Sequence, residues 1–393
     1  MAAPDVLRAR NAVALVFVLN GFCFAALVTR LPDIRGDLGL TNGQLGLLLL
    51  CNAAGSVPSM PVAGRLIERW GAGAVVRGGA VLVTVGLTVV ALGASTLGAA
   101  PVVGVGLFTY GVGTGVWDVS MNVEAAAVEQ RLGRTVMPRF HAGWSMGSIA
   151  GAALGIPVNA LDVPLLLHLG LVAGGALVAV VVGTRAFLPA GVPHGDEGLA
   201  TSPGRSAWLE PRTLAIGLMV LAFALTEGVA NDWLALALID GYDVEDWVGV
   251  AGFAVFVTAM TAGRLVGTTV LDRYGRVPVL RATALAGIAG VLLVVLGGSA
   301  PLVLLGIVVW GLGASLGFPV GMSAGADDPL RAARRVSAIS TIGYTAFFAG
   351  PPLIGWVADR VGTLDALLVV AALLVPSFLA ITAAREPEKS AAR

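Results

Sequence analysis

Long apolar runs separated by short polar connections fill the chain from end to end. A helix needs about 20 predominantly apolar residues to cross a hydrocarbon layer of about 30 Å. Segments of that kind fall at 12–31, 42–63, 74–97, 100–124, 137–159, 163–187, 212–239, 247–270, 277–298, 301–325, 335–358 and 363–384. Most connections between them are short. The exception is LPAGVPHGDEGLATSPGRSAWLE, residues 188–210, which is rich in Pro, Gly and charge. It divides the spans into six plus six and reads as a linker between two bundles, 1–187 and 211–393.

Composition supports the same reading. Of 393 residues, 57% are hydrophobic and 12% charged, and the mean hydropathy is +0.89. Soluble domains average about 25% charged residues, so the chain reads as a polytopic membrane protein. A formal net charge of +0 gives no sign of a nucleic-acid partner. Cys23 and Cys51 lie inside apolar runs and read as small core residues without metal spacing. The first apolar run is too long for a cleavable signal peptide. With the N-terminus placed inside, 20 of the 24 basic residues fall on the inner side. Arg30, Arg35 and Arg360 fall outside, and Arg264 lies within a span. The positive-inside rule then puts both termini in the cytoplasm. The acidic connection DGYDVED at 240–246 falls outside, in agreement.

The two halves are related. At an offset of 200, Pro101 meets Pro301, Gly106 meets Gly306, and Tyr110 meets Trp310. Gly111 and Gly113 meet Gly311 and Gly313, and beyond the span Arg131 and Arg134 meet Arg331 and Arg334. GRLIERWG at 64–71 matches TTVLDRYG at 268–275, with Glu68 facing Asp272. A repeat of half the chain is a duplicated bundle, a pattern common among secondary transporters. The expected fold is therefore all-α: 12 transmembrane helices in two pseudo-symmetric six-helix bundles.

These turns resemble the G-x-L-x-D-R-x-G signature of the major facilitator superfamily. Gly64, Leu66, Glu68, Arg69 and Gly71 match it with Glu in place of Asp; Leu271, Asp272, Arg273, Gly275 and Arg276 match it in the second half. A related GWVADRVG follows the eleventh span. DVSMNVEAAAVE, MPRFHAGWSMG and EGVANDW are similar to a bacterial branch near the fucose:proton symporters. The resemblance implies that spans one, four, seven and ten line a central cavity open to one side at a time. It also implies a gating role for Gly64, Glu68, Arg69, Arg264, Asp272, Arg273 and Arg276. Two departures stand against a drug antiporter: no Arg lies between Pro101 and Glu124, and Pro157 falls only at the end of span five.

The repeat separates scaffold from candidate chemistry. Asp118 falls opposite Phe318, and Glu227 has no acid opposite it in span one. Intramembrane acids mark substrate or proton pathways by default, since each costs about 2.5–3.5 kcal/mol at a helix centre. Asp118 and Glu227 are therefore the candidate proton-coupling groups. Asn122 and Asn231 lie four residues beyond them, on the same helix faces. By helical rise Glu227 is roughly 22 Å above the inner end of its span and Asp118 roughly 25 Å below the outer end of its own. Asn20, Asn52, Asn122, Asn231 and Asp232 supply candidate polar contacts to a solute. Tyr110, Trp117 and Trp233 supply candidate stacking faces. Arg264 is expected to snorkel or to pair with an acid near the cytoplasmic end, and His141 to be interfacial. Gly143, Gly147, Gly151 and Gly155 are spaced by four, as are helix-packing surfaces.

The expected function is secondary transport of a small polar, sugar-like solute across the inner membrane by alternating access, coupled to protons. The alternative is proton-driven efflux of amphiphiles; a receptor or scaffold that no longer transports is a third class. No metal cluster, nucleophile–base pair or phosphate loop suggests an enzyme or a cofactor. The expected partners are the solute, protons and the lipid bilayer, and the chain is expected to act as a monomer.

Overall fold

The structure is a computed structural model that describes residues 3–40, 42–189 and 206–386. Most of the expected linker lies outside the described residues. Every regular element described is helical. In order they are α1 (Ala3–Val28), α2 (Leu31–Asp37), α3 (Asn42–Trp70), α4 (Ala72–Ala91, continued by a π turn), α5 (Ala100–Leu132), α6 (Met137–Ala160) and α7 (Leu165–Gly183). The second series is α8 (Pro211–Tyr242), α9 (Asp246–Tyr274), α10 (Arg276–Leu296), α11 (Ala300–Ala314), α12 (Gly317–Gly325), α13 (Ala332–Val361), α14 (Thr363–Ala366) and α15 (Leu368–Ala380).

Local chemistry sets the ends. Pro stands in the first turn of α5, α8 and α11, where its missing N–H costs nothing. The last glycine of each acid-Arg-x-Gly turn has positive φ: Gly71 at 77°, Gly275 at 76° and Gly362 at 91°. With ψ near 155–168°, these angles lie in a region that glycine alone adopts readily. The signature thus encodes a tight reversal between consecutive spans.

By length and hydropathy, 10 described helical segments can cross a membrane. α6, of 24 residues, and α13, of 30, stand where the fifth and eleventh spans are expected. Several boundaries differ from the sequence expectation, three of them with consequences below. α1 starts at Ala3, well before the apolar run. α5 extends to Leu132 because Glu124, Ala125, Ala126, Val128 and Glu129 are buried by protein and need no lipid to cover them. The tenth span is interrupted at Ser315 and Leu316.

The chain clusters into two compact units: Met1–Gly133 with Arg139–Pro203 and Asp328–Ser337, and Arg134–Pro138 with Gly204–Asp327 and Ala338–Arg393. The segments 134–138 and 328–337 therefore cluster outside the halves to which the sequence division assigns them. Repeated glycines make the same contacts in each unit. A Cβ on Gly86 would lie 2.5 Å from Tyr110 N, and one on Gly290 would lie 2.3 Å from Trp310 N. A Cβ on Gly111 would lie 2.1 Å from Asn52 O, and one on Gly311 2.6 Å from Phe256 O. The α4–α5 and α10–α11 pairs thus touch backbone to backbone, the arrangement that small residues permit where lipid supplies no hydrophobic drive. Gly147 and Gly151 serve α6 in the same way, meeting the Val18 and Phe22 carbonyls of α1.

Candidate functional site

In the first unit the polar candidates converge from α1, α5 and α6. Asp118 is 7% exposed and Asn122 fully buried, one turn apart on α5. The Asn122 Nδ2 donates to the Asp118 main-chain carbonyl at 2.9 Å, which leaves Oδ1 facing His141 Nε2 at 3.1 Å. That orientation requires the imidazole to carry its hydrogen on Nε2. His141 also meets Phe17 edge-on, with ring centroids 5.1 Å apart. The expectation of an interfacial His141 is therefore corrected: α6 turns it inward, because the Arg139 side of the helix is the exposed one. One helical turn along, Trp144 Nε1 donates to Asn20 Oδ1 at 2.9 Å. Two polar pairs, Asn122–His141 and Asn20–Trp144, thus lie in sequence along α6 beside Asp118.

The aromatic candidates on α5 are not open faces. Tyr110 and Trp117 are 1% and 0% exposed. A Cβ on Gly86 or Gly79 of α4 would collide with Tyr110 backbone or with Trp117 Cβ. Both rings belong to the packed interior, because they share the α4-facing side of α5. Neither the Tyr110 hydroxyl nor the Trp117 indole N–H has a hydrogen-bond partner among the described residues. Asn52 lies against Gly111, and its Oδ1 is likewise without a partner there. One group that sequence reasoning missed is Glu124, 3% exposed, whose Oε1 accepts from Leu188 N at 2.7 Å. Its signal was an acid two turns from Asp118 within the same apolar helix.

In the second unit Glu227 pairs with Arg264, Nη2 to Oε2, at 2.8 Å. Their side chains are 12% and 3% exposed. Of the two expectations for Arg264, pairing with an acid is the one the structure shows, and snorkelling is not: the acid is Glu227 of α8. Arg264 Nε also donates to the Ser315 carbonyl at 3.3 Å. Asn231 and Asp232 are exposed; Trp233 is half-buried with its ring 3.5 Å from a Cβ built on Gly355.

The turn residues fall into two groups. In the first unit Glu68 accepts from Arg334 at 2.5 and 3.1 Å, a forked pair. A Cβ on Gly64 would lie 3.1 Å from the Ala333 carbonyl. Arg69 lies over the Trp70 ring. In the second unit Asp272 Oδ1 accepts from Thr135 N at 2.9 Å, and Arg273 lies over Tyr274. Arg276 donates to Asp327 and to Ser323 Oγ, and Arg212 takes the other oxygen of the same Asp327. A groove of about 600 Å³ between α3 and α5 is lined by Leu47, Leu48, Cys51 and Phe108 among others, and holds none of the candidate residues. Among the described residues no group of acids, His or Cys has metal-binding geometry.

The Major Facilitator Superfamily profile matches residues 13–351. The chain belongs to that superfamily, and it is a membrane transporter rather than an enzyme. It is 32% identical over 351 residues to the uncharacterized transporter y4wD of Sinorhizobium fredii, covering 88% of this chain and 90% of that one. It is 31% identical over 364 residues to an uncharacterized MFS-type transporter of Yersinia pestis, covering 92% of each. Its fold is similar to that of the E. coli fucose:proton symporter FucP, with a TM-score of 0.81 at 16% identity, covering 98% of this chain and 100% of that one. The twelve-helix count agrees with this fold.

Proposed function

We propose that this transporter moves a small polar, sugar-like solute across the inner membrane by alternating access, in exchange for or together with protons. Asp118 and Glu227 are the proton-exchanging groups. The observation that carries this reading is the polar strip of the first unit, where Asp118 lies beside Asn122–His141 and Asn20–Trp144 among buried residues. Amides, an imidazole and an indole N–H offer neutral donors and acceptors, which suit hydroxyls better than a lipophilic cation. Protonation removes the charge on a carboxylate and so lowers the cost of closing protein around it. The bundles are 1–187 and 211–393, joined by a cytoplasmic linker at 188–210, and both termini are cytoplasmic. Glu68, Asp272 and the basic residues of their turns act as cytoplasmic gates. The transported species are the solute and protons, and the working unit is a monomer.

The test is uptake into proteoliposomes with and without an inward-directed proton gradient. Asp118→Asn and Glu227→Gln keep size and hydrogen bonding while removing titration. At least one abolishes gradient-driven accumulation yet keeps solute exchange at equal pH. Accumulation at the parental level by both variants defeats the proton-coupling reading, and selective thermal stabilisation by amphiphilic dyes over sugars defeats the solute class.

A further inference from the structure

The tenth span is interrupted where its repeat counterpart is not. α11 ends at Ala314 and α12 begins at Gly317, whereas α5 runs unbroken from Ala100 to Leu132. The sequence holds the cause. Pro319 stands where the first half has Val119. Proline has no N–H to give, and its ring crowds the carbonyl four residues back, which is that of Ser315. The start of α12 meanwhile rests directly on α8: a Cβ on Gly317 would lie 1.9 Å from Phe223 Cγ.

The carbonyl that Pro319 cannot bond is occupied from another helix. Arg264 of α9 donates Nε to Ser315 O at 3.3 Å and Nη2 to Glu227 of α8 at 2.8 Å. Its guanidinium therefore sits at the C-terminal end of α11, where a helix favours positive charge. The repeat supplies the control. Glycine turns align the second and eighth spans at an offset of 204, which places Met60 opposite Arg264. The half without the proline also lacks the arginine, and its helix is continuous.

We propose that the Ser315–Pro319 break is a hinge in the tenth span, that Arg264 latches it by occupying the carbonyl that Pro319 leaves open, and that Glu227 holds the latch. Arg264 is a positioning residue. Bending of α12 against α11 requires its guanidinium to leave Ser315, and loss of charge on Glu227 loosens its anchor. Only that last link rests on the reading of Glu227 as a proton-exchanging group; the hinge and the latch stand on geometry.

Hydrogen–deuterium exchange of the full chain in lipid nanodiscs tests it, read on peptides covering 312–322. Glu227→Gln with Arg264→Gln removes the latch without leaving an unpaired buried charge. Exchange there rises by about tenfold, the scale of a local opening made easier. Adding Pro319→Ala restores an N–H opposite Ser315 O, and exchange returns to within about twofold of the parent. If the neutral pair fails to survive purification, Arg264→Lys serves in its place: it keeps a charge for Glu227, lacks the forked second donor, and gives the same acceleration. Unchanged exchange at 312–322 overturns the proposal. So does acceleration that Pro319→Ala does not reverse, or equal acceleration at 112–122 in α5. The measurement uses neither solute nor gradient, so its failure leaves the transport reading standing. Failure of Glu227→Gln to affect accumulation leaves the latch standing.

Discussion

Adding one methyl group at Gly86 tests the scaffold that the duplication built. A Cβ at Gly86 would lie 2.5 Å from Tyr110 N, 2.7 Å from its Cα and 2.8 Å from the Gly106 carbonyl. Ordinary contact begins near 3.4 Å, so α4 and α5 must separate by about 1 Å. All three obstacles are backbone, and no rotamer change relieves them. Overpacking of this kind costs about 1–3 kcal/mol. Replacing a mid-helix glycine by alanine returns about 0.5–1 kcal/mol, so Gly86→Ala destabilises by about 1–2 kcal/mol. At about 2–4 °C per kcal/mol, the melting temperature falls by roughly 2–8 °C. Gly290→Ala, with its Cβ 2.3 Å from Trp310 N, behaves alike in the second unit. Gly78→Ala is the control, since nothing lies within 4 Å of its Cβ, and it is neutral or stabilising. Cys23, 1% exposed, reports unfolding of the first unit to a thiol-reactive dye, and loss of monodisperse elution after heating reports both. A Gly86→Ala protein that melts within about 1 °C of the parent, against the shift expected from overpacking, refutes the backbone-contact account.

Two further predictions concern charge. Glu227→Ala alone takes the ion pair with Glu227 from the buried Arg264, at a cost of about 3–5 kcal/mol, whereas Glu227→Gln with Arg264→Gln costs far less; equal melting of the two variants removes the pairing argument. Glu68→Gln frees the forked Arg334 contact and Asp272→Asn weakens that to Thr135 N. If these turns gate, each variant raises cytoplasmic cysteine accessibility and leaves folding intact. Reduced transport with unchanged accessibility counts against a gate.

How much of this was legible from the chain depends on which interactions are local. The spans were, because crossing a hydrocarbon layer needs an apolar run of fixed length whatever its neighbours are. The turns after the second, eighth and eleventh spans were too, because positive φ at Gly71, Gly275 and Gly362 is a requirement of the backbone itself. The repeat even pointed to the packing glycines, since a residue kept in both halves answers a need that both halves share.

The candidate site was legible only in part. Asp118, Asn122 and Glu227 stood out as polar groups in apolar helices, but which side of a helix faces a neighbour is not written in a span that is apolar all round. Tyr110 and Trp117 therefore looked like open faces until α4 was seen to cover them. His141 looked interfacial until Asn122, nineteen residues away, was seen to receive it. Arg264 was expected to snorkel or to pair with an acid, and which acid was open until Glu227 and Ser315 came to it from α8 and the end of α11. Apolar length and backbone angle are properties of single segments, so they can be read along the chain. The partner of a buried polar group is chosen by helix–helix contact, which brings together residues far apart in the chain, as Glu227 and Arg264 are.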